Sequence, residues 1–258
     1  MKIDLNADLG EGFGPWLMGD DEALLDLVSS ANIACGFHAG DPLIMQKTVE
    51  RAKARGVDIG AHVGFPDRQG FGRRVMQIDP TELAAMVIYQ LGALAGLARA
   101  AGTYVTHMSF HGALGNMAAA DAQLALPLVR AVAQFDPDML IVSSKSAAIE
   151  SAAASCGLRV ATTFLADRAY TDEGLLVPRG RDGAVIHDPA QVLTRVKRLL
   201  TEGTVATESG KVLAMPSRSI LLHGDGPSAV GLARLIRDVI ADIGGSVVPI
   251  SRLMAGQY

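Results

Sequence analysis

One pattern recurs along this chain and limits the folds it can adopt: a short apolar run ends in a histidine or an aspartate, and a helix follows. Residues 30–41 show it most fully. Residues 33–35 lack polar alternation, which is typical of a parallel strand covered by helices on both faces. Asp41 then provides a helix N-cap and Pro42 a first-turn proline. The pattern predicts a strand, a glycine loop and a helix.

The histidines follow the same pattern. Five of the six lie in or just after predicted strands: His38, His62, His107, His111 and His223. The carboxyl ends of parallel strands meet on one face of a barrel, so a single convergent site explains this placement better than scattered surface histidines do. Along the first predicted strand, Asp4, Asn6 and Asp8 alternate and therefore share one face. We expect a polar lining there rather than a solvated edge.

Strands and helices alternate through all 258 residues without a repeat, a low-complexity segment or a linker. This rhythm predicts a single α/β domain, residues 1–258, with a parallel sheet and helices outside it. We expect a seven- or eight-stranded (β/α) barrel, because a barrel brings every strand end to one face. An open doubly wound sheet would collect fewer of the histidines, around one switch point.

Caps and breakers set the element boundaries. The sequence predicts helices over residues 22–29 and 121–135, a strand over 104–110, a hairpin insertion over 204–215, and a last strand over 246–250. Two further segments, 64–74 and 166–188, are rich in glycine and arginine and lack periodicity. They are predicted to be long functional loops.

Composition excludes several classes of protein. The formal net charge of −4 argues against nucleic acid as a partner, because phosphate binding needs a basic surface. The only two cysteines, Cys35 and Cys156, exclude a disulfide framework and favour a reducing cytoplasm. The longest apolar stretch, residues 83–98, is shorter than the roughly 20 residues that span a bilayer. We expect a cytoplasmic protein without membrane contact, in which this stretch is a buried helix and a candidate homo-oligomer contact.

Six segments resemble the LamB/YcsF family: residues 4–14 (DLNADLGEGFG), 30–41 (SANIACGFHAGD), 60–74 (GAHVGFPDRQGFGRR), 111–114 (HGAL), 166–170 (ADRAY) and 222–225 (LHGD). The resemblance implies a barrel related to the glycoside hydrolase and polysaccharide deacetylase barrels. It also implies ATP-dependent opening of the lactam 5-oxo-L-proline to L-glutamate, in a complex with 5-oxoprolinase B and C subunits. ATP, with Mg²⁺, would be hydrolysed to ADP and phosphate in that complex.

One motif departs from the family pattern. Ser109 stands where the family has a lysine, and Gly115 where it has a tyrosine. If that lysine binds the substrate carboxylate or a phosphorylated intermediate, its loss implies a different substrate, weak activity or replacement by another cation. Lys145 and Arg168 are the candidates for that replacement.

Lactam opening requires a base for the attacking water, a donor to the tetrahedral anion, and a cation for the substrate carboxylate. The predicted catalytic residues are Asp8, His38, His62, His111 and His223. Asp8 or His38 could act as the base, and His111 or His223 as the acid or the oxyanion donor. The predicted substrate-binding residues are Asn6, Arg73, Arg74, Lys145, Arg168 and Asp225.

The sequence leaves the metal question open. An aspartate with two histidines from separate strands is also a divalent metal set, as in the related deacetylases, and Asp8, His38 and His62 are the candidates. Two alternative functions therefore remain. One is a stand-alone metal-dependent amidase or deacetylase-like hydrolase on another substrate, and the other is a non-catalytic regulatory subunit. Residues 205–212 resemble a Walker loop only poorly, so partner subunits are expected to complete the nucleotide site.

Overall fold

The computed structural model describes residues 1–226 and 228–256. Its strands are β1 (Lys2–Leu9), β2 (Ser30–Ala34), β3 (Asp58–Val63), β4 (His107–Phe110), β5 (Leu140–Ser143), β6 (Arg159–Leu165), β7 (Thr204–Ala206), β8 (Val212–Ala214), β9 (Ser219–Leu222) and β10 (Ser246–Val247). Its helices are α1 (Asp21–Leu25), α2 (Pro42–Arg55), α3 (Pro80–Ala100), α4 (Gly112–Ala120), α5 (Ala122–Phe135), α6 (Ala147–Cys156), α7 (Pro189–Glu202), α8 (Ala229–Asp242) and α9 (Ile250–Met254).

Seven parallel strands close into a barrel. They pair in the order β1, β2, β3, β4, β5, β6 and β9, and β9 pairs back with β1. Strand β10 adds to the first two residues of β1, while β7 and β8 form a separate antiparallel hairpin. The predicted barrel is confirmed, with seven strands in the closed sheet, and the hairpin insertion lies where the sequence placed it.

Alternation along β1 divides the barrel interior from the helical layer. Leu5, Ala7 and Leu9 are fully buried in the hydrophobic core. Asp4 and Asp8, on the other face of the strand, bond to side chains on neighbouring strands. The predicted polar lining is therefore present, and it spans the barrel from the amino end to the carboxyl end of β1.

Helix α9 closes the barrel at the amino ends of the strands. Ile250 is fully buried against Leu140, Val142 and Ala161 of β5 and β6. Its backbone amide donates to Ser30 Oγ at 3.2 Å. Water is therefore excluded from that end, and the interior is open only where the strands terminate.

Several boundaries differ from the sequence predictions. Helix α1 ends at Leu25, because the chain must turn there to enter β2. The predicted last strand stops at Val247, and Pro249 begins α9 instead. Helix α4 was missed because its Gly- and Ala-rich sequence lacks the apolar period of a surface helix. Strand β4 begins only at His107, three residues later than predicted.

Helix α3 is longer than the apolar stretch that suggested it. By length and composition alone its 21 residues could cross a membrane, although only 33% of its most apolar window is buried. Such a helix is weak evidence for a membrane span, because core helices of other proteins pass the same test. Leu91 and Leu94 of this helix are fully buried in the core, and Tyr89 is exposed.

Candidate active site

The carboxyl ends of the strands surround a cavity of about 670 Å³. Asp8 reaches it from the end of β1 and His62 from β3, while His111 and His223 follow β4 and β9 directly. Apolar side chains from β5, β6 and the loop after β6 form the opposite wall. The barrel thus brings four of the five predicted catalytic residues to the lining of one cavity.

Asp8 is a buried carboxylate at the base of this cavity. Asn32 Nδ2 donates a hydrogen bond to Asp8 Oδ1 at 2.9 Å, and His62 Nε2 lies 3.5 Å from the same oxygen. Burial raises the pKa of Asp8 above the usual value of an aspartate, although His223 and the Asn32 hydrogen bond oppose that shift. A carboxyl group with a raised pKa can both accept and return a proton near neutral pH.

His62 and His111 form a hydrogen-bonded pair. His111 Nε2 donates to the carbonyl oxygen of Phe71 at 2.7 Å, so the Nδ1 atom of a neutral His111 carries a lone pair. That atom lies 2.9 Å from His62 Nε2, and His62 Nδ1 lies 2.7 Å from Ser109 Oγ. Burial lowers the pKa of His62 to about 3 and lowers the pKa of His111 well below its usual value. Both rings are therefore neutral at physiological pH.

His38 and Glu11 complete a buried cluster behind this pair. The His38 ring stacks on that of His111, with centroids 3.7 Å apart. His38 Nε2 lies 3.2 Å from Glu11 Oε1, and both residues line a second cavity of about 210 Å³. Burial, with Asp8 nearby, raises the pKa of Glu11 well above its usual value. Glu11 is a site residue that the sequence interpretation missed, because its glycine-rich segment was read for its backbone amides.

His223 belongs to a second hydrogen-bonded chain on the other side of the cavity. Its Nδ1 atom donates to Asp167 Oδ2 at 2.7 Å, and Arg179 Nη2 donates to its Nε2 atom at 2.8 Å. Burial opposes ionisation of Asp167, but the contact with His223 still holds the pKa of Asp167 below its usual value. Arg179, which lines the cavity, was also missed, since nothing in the sequence separates it from other loop arginines.

The loop after β3 covers the histidine cluster. Phe71 has a left-handed backbone with φ of 54°, a conformation that favours glycine. A side chain on the next residue, Gly72, would collide with His38 and His111. Arg73 Nη2 then donates to Asp225 Oδ2 at 2.6 Å, and so joins this loop to the segment after β9. Strain at Phe71 is held in place by contacts on both sides of the cavity mouth.

Some predicted substrate-binding residues are engaged elsewhere. Lys145 Nζ donates to the carbonyl oxygen of Ala214, and this lysine lies outside the described cavity lining. The Arg168 guanidinium bonds to two loop carbonyl oxygens, those of Ala184 and Val177, so it braces the loop after β6. Arg74 is exposed and paired with Asp67. Neither suggested substitute for the family lysine has its charge free at the site.

Asn6 and His107 lie deeper in the barrel. Both donate to Asn32 Oδ1, Asn6 Nδ2 from 3.3 Å and His107 Nε2 from 3.0 Å. Since Asn32 also bonds to Asp8, these two residues support the site from below rather than line it. Cys35 is buried, and burial raises the pKa of its thiol to about 12, so it offers no thiolate nucleophile.

The metal candidates of the sequence are replaced in part. The side chains that could hold one metal ion are those of Glu11, His38, His62 and His111. Asp8, although it lies close to His62, is not in that set. The donor types, a carboxylate and three neutral imidazoles, fit a divalent transition metal.

Comparisons with known proteins agree with this architecture. The LamB/YcsF family model matches residues 3–255. The first of two 5-oxoprolinase A-type chains of Pseudomonas syringae pv. tomato is 69% identical over 254 residues, covering 98% of this chain and 99% of the relative. The lactam utilization protein from Thermus thermophilus has a TM-score of 0.90 at 40% identity, covering 97% of this chain and 100% of that one.

A more distant structure shares only the fold. It is a glycoside hydrolase family 30 xylanase from Clostridium acetobutylicum, with a TM-score of 0.51 at 10% identity, covering 91% of this chain and 73% of that one. The family model and the two nearer proteins each match almost the whole length of the chain. The chain therefore belongs to the LamB/YcsF family.

Proposed function

We propose that this chain binds and opens 5-oxo-L-proline as the A-type component of an ATP-dependent 5-oxoprolinase, together with B and C subunits. The observation that carries the proposal is the presence, in one cavity, of a buried acid–base pair, Asp8 with His62, and a guanidinium, Arg179. The relative from P. syringae, which is named as a component of 5-oxoprolinase, supports the same reaction.

The substrate has one carboxylate and one lactam carbonyl, and the cavity has groups for both. Arg179 and Arg73 both line it, so either guanidinium can bind the carboxylate through charge-assisted hydrogen bonds. Such a bond contributes on the order of 1.5 to 3 kcal/mol. We infer that these arginines, rather than Lys145 or Arg168, replace the lysine that Ser109 lacks.

The acid–base groups lie across the cavity from these cations. In the proposed reaction Asp8 accepts a proton from the attacking water, whose oxygen forms a bond to the lactam carbon. The carbon–nitrogen bond then breaks, and the proton passes to the departing nitrogen, which becomes the amino group of glutamate. His62 orients Asp8, and His223 donates to the developing anion after Arg179 shifts toward the substrate carboxylate.

Activation by ATP is assigned to the assembled complex. Residues 205–212, the nearest sequence to a Walker loop, form the β7–β8 hairpin, in which Val205 pairs with Leu213. A small lactam fills only part of the 670 Å³ cavity, which leaves room at its mouth for a nucleotide with Mg²⁺ or for a partner protein. We propose that the B and C subunits complete the nucleotide site over this face.

One observation favours a second candidate, a metal-dependent amidase that needs no ATP. The Glu11, His38, His62 and His111 cluster could hold a divalent ion, which would polarise a carbonyl or acidify a bound water. That function predicts turnover without ATP and loss of turnover in a chelator. The cytoplasmic location and a homo-oligomer remain predictions, and both cysteines are free thiols.

The test compares the purified chain alone with the chain plus its cognate B and C subunits. We expect negligible turnover of 5-oxoproline and ATP by the chain alone, and equal amounts of glutamate and ADP from the complex. Glutamate without ADP from the isolated chain would instead support the amidase. A complex that keeps full activity with His111→Asn would indicate a regulatory role for this chain.

A further inference from the structure

Four buried side chains, Glu11, His38, His62 and His111, each place one ligand atom within 4.8 Å of the other three. Glu11 Oε1 lies 3.2 Å from His38 Nε2 and 3.7 Å from His111 Nδ1, and His111 Nδ1 lies 2.9 Å from His62 Nε2. Ligands at about 2.1 Å from a tetrahedral zinc ion are about 3.4 Å from one another. The side chains therefore already have nearly the spacing that a metal ion requires.

The hydrogen bonds around the cluster leave acceptor atoms facing each other. His111 Nε2 donates to the Phe71 carbonyl oxygen, which directs the Nδ1 lone pair toward Glu11 and His62. His62 has a hydroxyl partner for its other nitrogen, Ser109 Oγ at 2.7 Å. Metal-binding histidines usually have such a partner, which fixes the ring and its tautomer. Two of the four side chains are thus held in the orientation that ligation needs.

The charge balance also calls for a cation. Glu11 is buried beside three neutral imidazoles, and both Asp8 and Asp225 disfavour its negative charge. Arg73 favours that charge, but its guanidinium is already paired with Asp225. A carboxylate and several lone pairs that converge in a buried space are stabilised by a proton or by a metal ion.

We propose that Glu11, His38, His62 and His111 form a binding site for one divalent first-row transition metal ion, of which Zn²⁺ is the probe of choice. The site does not depend on the proposed lactam chemistry. Two of its ligands, His62 and His111, also line the large cavity, whereas Glu11 and His38 line the smaller one behind it. A metal ion here lies in the wall between the two cavities.

The four ligands are not equivalent. His38 Nδ1 is buried and has no hydrogen-bond partner within the described residues. If His38 Nε2 binds the metal, the ring proton must move to this unpartnered nitrogen, which weakens His38 as a ligand. We therefore expect Glu11, His62 and His111 to dominate the affinity and His38 to add less.

The test measures metal content and affinity, independently of enzymatic activity. Wild-type protein is stripped with a chelator, dialysed, and titrated with Zn²⁺ by calorimetry, and its metal content is measured by mass spectrometry. We expect one ion per chain and a higher melting temperature with zinc. Glu11→Gln should weaken binding at least tenfold, and His38→Gln should weaken it less. The exposed His187→Gln is the matched control and should bind as wild type does.

Two results would overturn the site. One is wild-type protein that neither retains nor binds zinc, cobalt or manganese stoichiometrically, which would leave a shared proton as the occupant of the cluster. The other is zinc binding by Glu11→Gln that matches wild type, provided that circular dichroism shows the variant to be folded. If Glu11→Gln does not fold, the wild-type stoichiometry and the His111→Asn variant decide the question.

Discussion

The two ends of the barrel interior both bury acidic groups, but they surround them differently. At the amino ends of the strands, three serine hydroxyls donate to Asp4 at 2.6 to 2.7 Å: those of Ser29, Ser30 and Ser219. At the carboxyl ends, the hydrogen bond from Asn32 Nδ2 accompanies Asp8, and Glu11 faces the acceptor nitrogen of His111. The lower group is well supplied with donors, and the upper groups are not.

This difference separates structure from function. A buried carboxyl group with donors on both oxygens fixes neighbouring strands and has no capacity left for a ligand. Buried acceptors that face one another store an unfavourable arrangement, which a proton, a metal ion or a substrate relieves. We therefore assign Asp4 to the architecture of the barrel and Asp8 to the reaction, although both residues lie on the same face of β1.

The largest effect should come from pH acting on Asp4. Burial raises its pKa to about 7, against an ordinary value of 3.8, so between these pH values the native state binds a proton that the unfolded state lacks. Asp4 therefore contributes most stability at low pH, and the contribution falls by roughly 1.4 kcal/mol per unit as pH rises toward 7. Above that pH both states are ionised and the fall ends.

Urea unfolding from pH 5 to 8 measures this contribution as the difference between wild type and Asp4→Asn. The variant cannot titrate at this position, and the other ionisable groups are common to both proteins. The difference in unfolding free energy should therefore decrease by roughly 3 kcal/mol between pH 5 and 7 and then level off. A constant difference across that range would show that Asp4 is not protonated in the native barrel.

A smaller effect is expected from the cation that faces the cavity. Arg179→Met should raise the KM for 5-oxoproline in the assembled enzyme by roughly tenfold or more, because a charge-assisted bond to the substrate carboxylate is lost. Arg181→Met, two residues further along, is the matched control, since its guanidinium pairs with Glu208 at 3.1 Å. Equal KM values for the two variants would remove Arg179 from the substrate site.

The smallest effect concerns Ser109, which positions His62 rather than contacting the reacting atoms. Ser109→Ala removes the hydroxyl at 2.7 Å from His62 Nδ1 and should lower kcat by about two- to tenfold, as the loss of one neutral hydrogen bond implies. Ser109→Thr keeps the hydroxyl and should restore the rate. If threonine and alanine variants have the same kcat, the hydroxyl does not set the orientation of His62.

Much of the fold was predictable because it depends on local patterns. Strands β1, β3 and β6 and helix α2 have the predicted boundaries, since apolar runs, caps and glycines mark them directly. Convergence of Asp8, His62, His111 and His223 followed from the position of each at a strand end. A parallel barrel converts that simple sequence position into spatial proximity.

The rest depends on loops, for which the sequence gives no distances. Arg73 meets Asp225 although 152 positions separate them, and Arg179 meets His223 across 44. Nothing local distinguishes Arg179, which faces the cavity, from Arg168, which binds loop carbonyl oxygens. Glu11 had one available signal, an acidic residue between glycines just after a strand, but only the folded loop brings it to His38.

The central claim is that the carboxyl end of the barrel carries the reaction, and the amino end only supports the fold. The most direct test is the kcat/KM for 5-oxoproline of Asp8→Asn and Asp4→Asn in the assembled enzyme with ATP. Both variants lose one carboxyl group on the same face of β1. We predict at least a hundredfold loss for Asp8→Asn and less than about threefold for folded Asp4→Asn. Equal losses in the two variants, or a fully active Asp8→Asn enzyme, would contradict the account.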